Sequence, residues 1–190
     1  MRRLDLVIGP NGAGKSTFVE LTLGPLLPRS VFVNADLIAR QRWPGEAESR
    51  SYDAARAAAA TRDRLIADGR SFIAETVFSH PSKLDLIDRA HDRGFVVVLH
   101  VLLVPEDISV LRVRHRVAAG GHRVPETKIR SRYRRLWPLV VDAIGRVDEA
   151  TVYDNASAVA PTVVAEFTGG ILVGDARWPV WTPAALNDRW

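Results

Sequence analysis

Residues 9–16 read Gly-Pro-Asn-Gly-Ala-Gly-Lys-Ser, which satisfies every fixed position of G-x-x-x-x-G-K-[ST]. Such a loop limits the fold tightly, because it wraps an anion only when a buried strand delivers the chain to it and a helix N-terminus receives it. Both flanks comply: residues 4–8 are an apolar run and residues 15–23 have helical periodicity. A chance glycine turn before a helix imitates part of this pattern, but not every fixed position with both flanks in place. The glycines let the backbone close round phosphate oxygens. Lys15 is spaced to reach the β- and γ-phosphates, and the Ser16 hydroxyl to ligate Mg²⁺. The expected ATP site is therefore Asn11, Gly12, Ala13, Gly14, Lys15, Ser16 and Thr17, with Ser16 as the metal ligand.

Beyond the loop, short apolar stretches bounded by turn residues alternate with longer helical ones, the pattern of an α/β protein. Strands are expected at 4–8, 31–33, 71–74, 95–104 and 150–153, with the fourth apolar on both faces as a central parallel strand should be. Helices are expected at 51–68, closing on Gly69, at about 80–93 with Ser79 as cap, from about Glu106, and from Pro125 until Pro138 kinks or ends it. Two runs at 162–167 and 171–173, joined across Gly169 and Gly170, read as a hairpin, followed by a tail holding Trp178, Trp181 and Trp190 that packs back on the body. The expected architecture is an α/β three-layer sandwich of P-loop kinase type in a single domain over residues 1–190. It has a mainly parallel five-stranded sheet, a helical lid at about 112–135, and a C-terminal hairpin and tail at about 161–190.

Composition removes whole classes. With no cysteine among 190 residues, disulfide scaffolds, thiolate zinc sites, iron–sulfur clusters and cysteine nucleophiles are excluded, and a cytoplasmic address is expected. The longest apolar run is far below the roughly 20 residues of a membrane span. The net charge of +4 is concentrated: residues 112–135 hold eight arginines and Lys128 against one acid, Glu126, which leaves the rest of the chain net negative. That distribution argues against a nucleic-acid coat and for a local phosphate site.

A phosphoryl-transfer site needs a carboxylate beside the transferred group and cations to hold its developing charge. In open α/β sheets these come from the C-terminal ends of strands, where Asp36 and Glu75 stand. Asp36 is the candidate base or magnesium aid, and Glu75, with Asn34 and Thr76, the candidate acceptor site. The competing reading of Asp36 is a helix cap for the turn at 37–40. Most of the clustered arginines are solvated surface charges, and Arg116 and Arg123, flanking the break at Gly120 and Gly121, are the candidate catalytic cations. His115 and His122 are surface or packing residues, since phosphoryl transfer needs no histidine. The chain holds no guanine-specificity tetrapeptide and no transporter-ATPase signature, which leaves a compact kinase.

Four blocks in this order, Gly9 to Ser16, Asn34-Ala35-Asp36, Glu75-Thr76 and Gly121-His122-Arg123-Val124-Pro125, resemble the zeta-toxin family of P-loop kinases over about residues 4–155. The resemblance implies a nucleotide-kinase fold and transfer from Mg²⁺-ATP to a hydroxyl of a nucleotide-sugar, UDP-N-acetylglucosamine in the family's best-known members, and a small antitoxin partner. It also implies Asp36 as base, Lys15 and Ser16 on phosphate and magnesium, Glu75 on the acceptor, and Arg116 and Arg123 as lid arginines. Where the family carries an arginine a few residues after the glutamate, this chain has Val77, Phe78, Ser79 and His80, so kinase chemistry carries over further than acceptor identity. The alternatives are a kinase for a nucleoside, a nucleic-acid end or an antibiotic hydroxyl, and a non-catalytic nucleotide-dependent binding module. By position alone, residues 154–159 are the candidate adenine pocket.

Overall fold

The computed structural model describes residues 1–121, 124–157 and 159–190. Seven strands form one sheet: β1 (Arg2–Ile8), β2 (Val31–Val33), β3 (Phe72–Thr76), β4 (Phe95–Leu103), β5 (Glu149–Asp154), β6 (Thr162–Thr168) and β7 (Ile171–Leu172). Their order is β2-β3-β1-β4-β5-β6-β7. The first five neighbours are parallel and the last two pairings antiparallel. The expected five-stranded sheet is thus corrected to seven. The terminal hairpin is no appendage, because β6 pairs antiparallel with the free edge of β5 along six residue pairs.

The helices are α1 (residues 15–26), α2 (Ala35–Arg42), α3 (Ser51–Ala67), α4 (Leu84–His91), α5 (Glu106–Ala118), α6 (Glu126–Ile144) and α7 (Ala184–Asn187). Helix α1 starts as an α-turn, widens to a π-turn at Val19–Leu23 and closes at Gly24–Leu26. The widening falls just before Pro25, which has no N–H to give an α-ladder. Two boundaries differ from expectation. His80 rather than Ser79 caps the turn Pro81–Lys83 that leads into α4, its side chain accepting from the Ser82 amide. Helix α6 also runs through Pro138 to Ile144, held by a buried face of Ile129, Tyr133, Leu136, Trp137 and Val140.

Two apolar layers sandwich the sheet. One packs Leu4, Leu6 and Ile8 of β1 against α3, α4 and α6, with Trp178, Trp181 and Trp190 of the tail laid over it. The other packs Val7 of β1 with Ile73 and Leu102 under Phe18, Val19 and Leu23 of α1. The tail folds back as expected: the Trp190 ring lies 4.7 Å from that of Phe167, and the Trp178 indole donates to the Trp190 carbonyl at 3.2 Å. No helix among the described residues is long and apolar enough to cross a membrane.

Candidate active site

Register sets what meets at the C-terminal end of the sheet. Glu75 and Thr76 lie level with Val7 and Ile8, so the last residues of β3 stand beside the start of the glycine loop. Val33 of β2 is level with Ala74, which brings Asn34 next to Glu75, with Asp36 two residues further on in the first turn of α2. This is the crevice where strand order reverses round β1, the position where open α/β sheets take their ligands.

The loop itself is held from behind. Ser109 of α5, fully buried, donates to the Asn11 carbonyl at 2.5 Å, and the Asn155 amide after β5 donates to the Ala13 carbonyl at 2.6 Å. Gly12 has φ +74, and a Cβ there would stand 2.8 Å from the Ser109 carbonyl. A side chain would therefore both strain the backbone and push α5 away. Gly14, at φ 82, delivers the chain into α1, whose first amides have no intrahelical acceptor and remain for an anion. Asn11 Oδ1 is buried without a partner. A glycine cradle that a Cβ would fill, open helix amides and an orphaned polar atom fit a bound nucleotide.

Lys15 is buried, and its ammonium donates to the Gly9 and Pro10 carbonyls at 3.1 and 2.9 Å. Burial pulls its pKa down, with the positive charges of Arg116 and Arg132 acting the same way and the carboxylates of Glu75 and Asp36 opposing them. The Ser16 hydroxyl donates to Glu75 Oε2 at 2.8 Å, and the Asn34 amide donates to the same oxygen. Glu75 therefore sits on the magnesium side of the site, against the residue expected to ligate the metal. Thr76 accepts from the Phe78 amide at 3.3 Å. Phe78 is fully buried at φ 61, a left-handed backbone that a bulky residue adopts only when packing repays the strain.

Asn34 is the N-cap of α2, its Oδ1 accepting from the Leu37 amide at 3.0 Å. Asp36 is therefore not the cap. It stays exposed in the first turn, within electrostatic reach of Lys15 and Arg132.

The arginine-rich stretch divides by partner. Arg112 donates to the carbonyls of Asn155 and Ala156, both at 2.9 Å, and so clamps the segment after β5 beside the loop. Arg114 pairs with Glu126, and Arg130 with Glu106, Asp107 and Glu126, knitting α5 to α6 over a small core of Val110, Val113 and Ile129. Arg116, exposed on α5, lies within electrostatic reach of the Lys15 ammonium; Arg123 and His122 lie outside the described residues, and His115 is exposed. Sequence reasoning missed Arg132. It is half-buried on α6, burial lowers its pKa, and it lies within electrostatic reach of both Lys15 and Asp36. No sequence signal marks it: its place is set by the next residue, Tyr133, whose hydroxyl donates to the Val104 carbonyl at 2.9 Å and docks α6 at the end of β4.

A family model described as AAA domain matches residues 4–139, and no curated protein matches the sequence. Among solved structures, a chain of the AvrRxo1-ORF1:-ORF2 complex with ATP superposes with a TM-score of 0.72 at 16% identity, covering 100% of this chain and 63% of that one. A chain from the PezAT chromosomal toxin–antitoxin system of the human pathogen Streptococcus pneumoniae gives 0.59 at 14% identity, covering 84% and 72%. A gluconokinase from Sinorhizobium meliloti 1021 gives 0.53 at 19% identity, covering 82% and 84%. This chain spans less than two thirds of the AvrRxo1 chain's length. The fold is the zeta-toxin-like P-loop kinase fold that the four sequence blocks implied.

Proposed function

Since the chain belongs to the AAA-domain family whose model spans residues 4–139, we propose that it is a Mg²⁺- and ATP-dependent kinase for a hydroxyl of a small molecule, with a nucleotide-sugar such as UDP-N-acetylglucosamine as acceptor. The carrying observation is the convergence, at one end of the sheet, of Lys15 and Ser16 with Glu75, Asn34, Asp36 and two arginines. Among the matched folds, one was solved with ATP and one is a gluconokinase, which supports nucleotide use and a hydroxyl acceptor.

Bound Mg²⁺-ATP supplies the phosphoryl group and a divalent charge. Lys15 turns from its loop carbonyls to the phosphates, and the helix amides after Gly14 orient them. Ser16 meets the metal while Glu75 holds its hydroxyl. Asp36 takes the proton of the acceptor hydroxyl at its carboxylate. Arg116 and Arg132, joined by Arg123 if the segment at 112–135 closes as a lid, stabilise charge on the transferred group and exclude water. Thr76 and the acceptor-facing edge of Glu75 hold the acceptor.

A second acceptor class is favoured by one observation: Phe78, buried in the core, stands within the segment where the resembled family places an acceptor arginine. That substitution fits a less anionic acceptor, such as a nucleoside or an antibiotic hydroxyl. A toxin role, with a small protein antitoxin, is supported by the fold match to a chain of a toxin–antitoxin system.

Incubation with Mg²⁺-ATP and UDP-N-acetylglucosamine, read by mass spectrometry with Asp36→Asn alongside, tests the proposal. A phosphorylated nucleotide-sugar that the variant does not make is expected. ADP without that product transfers the assignment to the other acceptors. Nucleotide binding with no transfer to any hydroxyl would establish the binding module instead.

A further inference from the structure

Helix α3 turns Ala54, Ala58, Arg62, Leu65 and Ile66 inward, so an arginine occupies a position its own apolar spacing assigns to the core. Arg62 is only 7% exposed. Buried guanidinium groups are almost always paired, yet Arg62 makes no hydrogen bond or ion pair to any described residue. Its nitrogens are not sealed in either: none of them is among the fully buried polar atoms that lack a partner, so the guanidinium keeps a small contact with solvent.

The nearest carboxylate is already engaged. Asp63, next along α3, is bridged by Arg89 of α4 at 3.1 Å, which ties the two helices together. Lys83, at the start of α4, is half-buried, likewise without a hydrogen bond or ion pair among the described residues, and within electrostatic reach of both Arg62 and Arg89. It is one of three lysines in a chain that otherwise uses arginine for its positive charge. Three cations, Arg62, Lys83 and Arg89, thus lie within electrostatic reach of one another between α3 and α4 against one carboxylate, Asp63, which Arg89 already holds. They sit in the helix layer opposite α1, away from the glycine loop.

We propose that Arg62 and Lys83 form a second anion site, which takes a phosphate group of a small molecule. Three cations against one carboxylate leave two positive charges in excess, which match a dianion. Arg62 supplies the planar fork that phosphate oxygens accept from, and Lys83 a point charge. The site uses none of the residues assigned to phosphoryl transfer, so it stands or falls independently of the kinase proposal.

The test is a titration of the full chain with inorganic phosphate, followed by NMR at the Arg62 Nε–H, identified by its absence in Arg62→Lys. The expected result is a saturable shift absent with chloride at equal ionic strength, with half-saturation weakened about tenfold in Lys83→Met, the loss of one charge-assisted contact. Phosphate binding at the glycine loop would survive Lys83→Met unchanged. No saturable shift, or one indifferent to Lys83→Met, overturns the site. Lys83 is at the surface end of α4, so its variant keeps the test decisive even if Arg62→Lys does not fold.

Discussion

On the loop bank of the cleft the functional side chains are already engaged with protein: Lys15 with two loop carbonyls, Ser16 and Asn34 with Glu75. On the facing bank, Asp36 is exposed and Arg132 makes no hydrogen bond among the described residues. The first bank keeps its shape without a ligand. The second holds groups whose charge is spent only when something enters. Preorganised phosphate binding thus sits opposite chemistry that water still solvates until closure.

The sharpest way to break this contrast is Asp36→Asn. Transfer should fall by about 10²–10⁴, the range of a lost general base, while binding of a fluorescent ATP analogue stays at its wild-type affinity. ATP affinity falling in step with turnover would move Asp36 to the loop bank.

Next comes a pair of arginines three turns of thought apart in role but two residues apart in sequence. Arg132→Met should lower turnover by about 10²–10³, as for a lost cation at developing charge, whereas Arg130→Met, which removes only ion pairs to Glu106 and Asp107 of α5 and to Glu126 within α6, should leave turnover unchanged. Equal losses in a steady-state ADP assay would mean that the segment acts by bulk charge.

A third variant acts beneath the loop bank, on stability alone. Asp5 of β1 is fully buried and accepts from Arg3 at 2.7 and 2.8 Å, with His100 at 3.0 Å. Burial pushes its pKa up, but the bonds to His100 and Arg3 outweigh that and hold the carboxyl below its usual value. A depressed carboxylate contributes stability that is full above its unfolded pKa of about 3.9 and is lost as pH falls through the folded value. Asp5→Asn should cost about 3 kcal/mol in urea at neutral pH and flatten the acid limb of the stability profile. An acid limb as steep as the wild type's would assign that limb to other carboxylates.

The smallest effect is expected from Gly12→Ala. Its left-handed backbone costs about 1–2 kcal/mol with a Cβ, and the clash with the Ser109 carbonyl should loosen α5 against the loop. Amide exchange in α5 reads it; protection equal to wild type would show that the loop yields instead.

The loop bank was legible because its chemistry is local. Eight consecutive residues specify it, and Asn34 and Glu75 follow from strand ends that periodicity places within one or two residues, as does Asp36 on the other side. The cations of the facing bank were legible only as a charge cluster. Which of eight arginines turns inward depends on how α6 docks through Tyr133 to β4, a contact 29 residues apart that no spacing encodes. The same reason hid the joining of β6 to β5: a hairpin is visible in its turn glycines, but its docking edge is a tertiary choice. Arg62 was invisible because it interrupts an otherwise apolar stripe on α3.

The Ser16–Glu75 bond makes the two ends of the nucleotide site respond differently to occupancy. Ser16 gives Glu75 its proton-bearing side, so the oxygen lone pairs remain for a cation and the metal end fills with nothing to undo. Lys15 has only one N–H to spare beyond its two carbonyl bonds, so to grip both the β- and the γ-phosphate it must give up at least one of these bonds. Loading is therefore a trade at one end and an addition at the other. The toll of that trade is also a spring, returning the lysine to its backbone perch when the spent nucleotide leaves.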